Sequence, residues 1–166
     1  KLKVHGFKSS VLDTSREKVT VESFRVVDAN FKPLPDECRQ TGQVKGEWKA
    51  DQRDLPKGSL LVPSNQRGVA LLMNLLEPIT PDSLMSWGYF NAHLEQKEYM
   101  EAYVTEAVAR EMLKDAQVKA AFEARLKADP NFAKSPDERL RFFYMRHPSW
   151  DERLNLYPVF RLDALP

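Results

Sequence analysis

The spacing of apolar residues changes character near Pro63. Up to residue 65 the chain reads as strands and turns. The run Lys18–Val27, KVTVESFRVV, is rich in β-branched residues, yet its apolar parity switches. Val19 and Val21 share one phase, Phe24 and Val26 the other. Alternate side chains of a strand point to opposite faces. Either a bulge near Glu22–Ser23 or burial on both faces therefore reconciles the switch. LKVHGFKSSVL and GSLLVP predict further short strands, and GEWKAD places Trp48 on another. DANFKPLPDE and DLPKG carry the turn chemistry that separates them.

Beyond Pro63 the period becomes helical. QRGVALLMNLLEP is strongly apolar and stops at Pro78, which predicts a buried helix. TPDSLMSWGYF predicts a helix with Thr80 as N-cap, Pro81 at the first helical position and Asp82 in the first turn. In EYMEAYVTEAVAREMLKD the residues Met100, Tyr103, Val104, Ala107, Val108 and Met112 form one apolar stripe. AQVKAAFEARLKAD repeats the pattern with Val118, Phe122 and Leu126. SPDERLRFFYMRH opens with a capping box, Ser135 and Glu138 around Pro136, and ends before Pro148. The tail YPVFRL returns as a strand or lies extended. The expected architecture is one α+β domain over residues 1–166, mainly strands over 1–65 and mainly helices over 66–166.

Composition agrees with a folded domain. The chain has 166 residues, 42% hydrophobic and 30% charged, enough to bury a core without a disulfide or metal staple. Its net charge is +1, so bulk electrostatics favour neither nucleic acid nor an anionic membrane. Up to Gln66 there are 12 basic and 9 acidic residues, and after it 13 and 15, an asymmetry too small to name a partner. Cys38 is alone, which excludes an internal disulfide and a cysteine-based zinc ribbon. KLKVHGFKSS lacks the apolar region of a signal peptide. No apolar run approaches the roughly 18 residues of a membrane span, so no membrane insertion is expected.

Candidate chemistry is sparse. His5, His93 and His147 are followed by GFK, LEQ and PSW, so none begins an H-x-x-E or HExxH pair. If residues 91–100 are helical, His93 and Glu95 lie about 200° apart, and Glu98 is about 140° round from His93. The histidine and the glutamates then form no common site. Glu95 and Glu98 neighbour each other, which reads as an acid–base pair or as a solvated helix face. Ser9, Ser10, Ser64 and Ser83 lack a nucleophile-elbow context. Acidic neighbours argue against a reactive Cys38, and no glycine-rich phosphate loop is present. ERLRFFYMRH combines bases and aromatics, but helical spacing turns Leu140, Phe143 and Tyr144 toward a core and Arg139, Arg141 and Arg146 toward water. No nucleic-acid partner is expected. Trp87, Tyr89 and Phe90 around Gly88 form a dense aromatic knot, either core or a surface for a peptide, a glycan or another partner.

KLKVHGF, then LLVPSNQRGVALLMNLLEPITPDSLMSWGYFNAHLEQKEY, then YPVFRL resemble the region that follows the catalytic domain in bacterial zinc carboxypeptidases of the carboxypeptidase A type. The resemblance extends over nearly the whole chain and is most specific from Leu60 to Tyr99. It implies a non-catalytic accessory domain of a zinc metallocarboxypeptidase, packed in cis on its own peptidase domain and supporting it. In that family the zinc is held by an H-x-x-E pair and a later histidine. None of that motif occurs here, so no catalytic or metal-binding residue carries over, and zinc is expected only in the catalytic domain outside this sequence. The missing initiator Met fits a piece of a longer chain. Such enzymes are commonly exported, which places the parent in the periplasm or outside the cell. Val62, Pro63, Trp87, Tyr89 and Phe90 are the expected contact surface. The alternative is a stand-alone peptide- or glycan-binding module using Trp87, Tyr89 and Phe90.

Overall fold

The computed structural model describes residues 2–164. It is α+β, with strands early in the chain and helices mainly in the later half. Gln96–Glu152 forms one compact unit, and the residues before and after it form the other. The change in composition at residues 58–66 falls inside the first unit.

The first unit is built on a long antiparallel hairpin of β2 (Arg16–Phe31) and β3 (Gly42–Leu55), preceded by the short strand β1 (Ser10–Val11) and followed by β4 (Leu60–Leu61), which pair with each other. Pairing runs unbroken from Val19↔Arg53 to Val26↔Gly46, and the register shifts only at Arg16/Val19 and Val26/Asp28. There is thus no bulge at Glu22–Ser23. The parity switch is instead burial on both faces, Val21 and Ser23 on one, Phe24 and Val26 on the other. Trp48 lies on β3 opposite Phe24. The tail from Leu156 to Arg161 runs extended along the outer edge of β2. Tyr157 N–H donates to the Phe24 carbonyl at 2.9 Å, and Glu22 and Arg161 exchange backbone bonds.

Three expectations in this unit need correction. LKVHGFKSSVL is a strand only at Ser10–Val11, because Leu2–His5 winds into a 3-10 turn that Gly6 closes with φ +76°. The apolar helix exists as α1 (Val69–Leu76), ended by Pro78, but of its residues only Leu72 is buried. TPDSLMSWGYF forms successive turns and no helix. The Thr80 hydroxyl donates backward to the carbonyls of Asn74 (2.6 Å) and Glu77 (2.9 Å) instead of capping forward amides. Ser83 Oγ then accepts from Ser86 N–H, and Ser86 Oγ donates to the Pro81 carbonyl, so side chains take bonds a helix would have made. The core joins Phe24, Val26, Val44, Met85 and Tyr157, with Trp48 and Phe90 packed against it.

In the second unit α2 (Ala102–Met112), α3 (Ala116–Ala128), α4 (Pro130–Lys134) and α5 (Pro136–Tyr144) follow one another closely. Each junction is a side-chain cap. Asp115 accepts from Gln117 and Val118, Asp129 from Asn131 and Phe132, and Ser135 from Glu138 with Pro136 at the first helical position. Phe122 of α3 meets Phe132, Phe142 and Phe143 at centroid distances of 4.8–5.7 Å. Val118, Phe122 and Leu126 pack on this core as their spacing predicts. Phe143 and Tyr144 are buried as expected, joined by Phe142. The α2 stripe is a correction, since Thr105 and Ala109 are buried while Tyr103 remains 75% exposed. Small residues let α2 approach α5 closely, and the Thr105 hydroxyl is satisfied by the Glu101 carbonyl at 3.0 Å. Among the described residues no helix is long and apolar enough to cross a membrane.

Candidate functional site

Residues 91–100 do not form an α-helix. Asn91–His93 is a single 3-10 turn and the chain beyond it is irregular, so the angular separation of His93 from Glu95 and Glu98 has no helical basis. His93 lies beside Phe90, ring centroids 6.3 Å apart, and its carbonyl accepts from Asn155 N–H. His5 ends the Leu2–His5 turn. His147 Nδ1 lies 2.7 Å from Ser149 Oγ. Among the described residues, no group of three or more His, Cys, Asp or Glu side chains is placed to hold a metal.

The aromatic knot is distributed by the backbone. Gly88 has φ +72°, and a Cβ there would lie 2.4 Å from the Gln40 carbonyl oxygen. The loop before β3 thus crosses directly over Gly88, with Asn91 Nδ2 donating to the same carbonyl. This close approach explains a glycine between the rings. Phe90 turns inward against Tyr157 at 5.3 Å. Tyr89 is covered by the Arg39 guanidinium, 3.6 Å from its ring centre. Trp87 lines a 510 Å³ cavity with Phe31, Lys32, Asp36, Thr41 and Asp82. In that cavity Lys32 donates to Asp36 at 2.5 Å, which, with the Thr41 hydroxyl, lowers the Asp36 pKa. The three rings have three different surroundings.

Val62 and Pro63 line a second cavity of 550 Å³ with Trp48, Leu72, Met73 and Glu77. At its wall stands a charged node. Arg161 donates to both Glu77 oxygens, Nε at 3.1 Å and Nη2 at 2.7 Å, and Trp48 Nε1 donates to Glu77 Oε2 at 3.2 Å. The guanidinium lies 4.0 Å over the Trp48 ring. Burial alone would lower the Arg161 pKa, and the bonds to Glu77 and Glu22 turn the balance upward. Tyr157 donates its hydroxyl to the Leu76 carbonyl at 2.8 Å. Its pKa is raised, first by burial and then by the Glu77 charge. The node joins the tail to the end of α1.

Sequence reasoning missed Trp48, Glu77, Tyr157 and Arg161 as one constellation. The available signal was a carboxylate wedged between an apolar helix and Pro78, and one arginine in the otherwise apolar YPVFRL. Comparison of the chain with protein families, curated proteins and solved structures finds no match.

Proposed function

We propose that this chain is the non-catalytic accessory domain of a bacterial zinc metallocarboxypeptidase, packing in cis on the peptidase domain and supporting it. The observation that carries the reading is the bare apolar side of α1. Val69 and Met73, one turn apart, are 40% and 39% exposed on a helix whose residues are nearly all hydrophobic, and Leu71 is 42% exposed on the opposite side. Met73 also lines the cavity of Val62 and Pro63, so the exposed side of the helix adjoins that cavity. Such a surface marks a docking site.

The motif residues that resemble the family support the same reading by their placement. Leu76 and Glu77 bind Tyr157 and Arg161 of the tail, and Phe90 packs on Tyr157. The role of the charged node is to hold α1 and the tail rigid behind the docking surface, without contact to substrate. The parent enzyme is secreted or periplasmic in this reading, and its zinc belongs to the peptidase domain.

Metal analysis and a peptide-cleavage assay on the chain alone test the proposal. The expected result is no stoichiometric zinc and no release of C-terminal residues. Stoichiometric zinc with cleavage would overturn it.

A further inference from the structure

The outer edge of β3 is open. Along β2 the backbone groups of Glu22, Phe24 and Val26 face outward and bond to the tail. Residues directly opposite each other in an antiparallel pair share the same orientation. Their partners Ala50, Trp48 and Gly46 therefore point N–H and C=O away from the hairpin on the far side. Among the described residues, no backbone group bonds to these three across that edge. An uncovered edge of this length is a template for another strand.

One face of β3 carries Lys45, Glu47, Lys49, Asp51 and Arg53, strictly alternating in sign. Blocking charges on an edge strand repel a second copy only when like meets like. In an antiparallel pair of two β3 strands centred on Trp48, residue 47 lies opposite 49 and residue 45 opposite 51. Glu47 then faces Lys49 and Lys45 faces Asp51, each pair occurring twice by symmetry. Gly46, Trp48 and Ala50 become the hydrogen-bonded positions of the same register. Shifting the centre to 47 or 49 would instead bring Lys45 onto Lys49 or Glu47 onto Asp51. The Lys49–Glu47 ion pair within the strand, 3.1 Å, is well exposed on both sides and free to exchange partners.

We propose that β3 is a homotypic docking edge, which joins two copies of this chain through an antiparallel β3–β3 pair centred on Trp48 and makes a continuous four-stranded sheet. The occupant is a second copy, selected by the sign alternation.

Sedimentation over a concentration series, with amide exchange followed by NMR, tests this. The expected result is a monomer–dimer equilibrium in which the amides of Gly46, Trp48 and Ala50 slow as concentration rises. Glu47→Lys places two like-charge pairs in the seam and should weaken association about tenfold. The double change Glu47→Lys with Lys49→Glu should restore it, which a purely structural role of Glu47 would not do. Ala50→Pro removes an outward N–H without touching the hairpin ladder and should abolish the dimer. A chain that stays monomeric at every concentration would overturn the proposal. So would a charge swap no better than the single variant, or slow exchange of the three amides at any dilution.

Discussion

Replacing Glu77 probes how the tail is fastened to the first unit. The carboxylate accepts two bonds from Arg161 and one from Trp48, at 2.7–3.2 Å. Its side chain is 16% exposed, whereas that of Arg161 is 40% exposed and retains Glu22 at 3.4 Å. A hydrogen bond to a charged group contributes about 1.5–3 kcal/mol. The exposed side of Arg161 recovers water when its partner is lost, so the contributions fall well short of their sum. Glu77→Ala should therefore cost about 2–3 kcal/mol, and Glu77→Gln, which keeps one acceptor oxygen, about 1–2 kcal/mol. Urea unfolding followed by tryptophan fluorescence reads the loss. A cycle with Arg161→Gln isolates the pair and should give a coupling of about 1 kcal/mol or more. Strict additivity of the two changes, or an unmoved midpoint for Glu77→Ala, would refute the node as a structural clasp.

Other positions give independent outcomes. Gly88→Ala places a Cβ at positive φ against the Gln40 carbonyl and should cost about 2–4 kcal/mol, measured by the same unfolding. Because the Tyr157 pKa is raised on folding from its ordinary 10.0, the folded state holds that proton more tightly than the unfolded chain. Stability is therefore full below pH 10 and falls as pH rises above it, and Tyr157→Phe should flatten this alkaline decline in a pH series of melts. Phe132→Ala empties a site that is 1% exposed and should cost about 3–5 kcal/mol, with early loss of amide protection in α3 and α5.

Much of the helical unit was legible because its signals are local. Ser135-Pro136 with Glu138, and the spacing of Val118, Phe122 and Leu126, specify a start and a buried face without reference to the rest of the chain. The α2 stripe misled because hydrophobicity named Tyr103 and Val104, whereas close approach selected Thr105 and Ala109. Residues 80–90 misled for a different reason. Ser83, Ser86 and Thr80 satisfy backbone groups with their own hydroxyls, so a strong Thr-Pro-Asp start signal leads into turns. The node of Trp48, Glu77 and Arg161 was illegible because its members are brought together over separations of up to 113 residues, 48 to 161, by the path of the tail along β2.

The most direct test of the docking role is the oxidation rate of Met73, read by mass spectrometry in this chain alone and in the longer, zinc-loaded peptidase that the proposal requires. Thioether oxidation follows solvent access, and Met73 is well exposed here. If α1 is the face that packs on the peptidase domain, Met73 oxidises readily in the chain alone and slowly in the parent. Equal rates in the two would contradict the account.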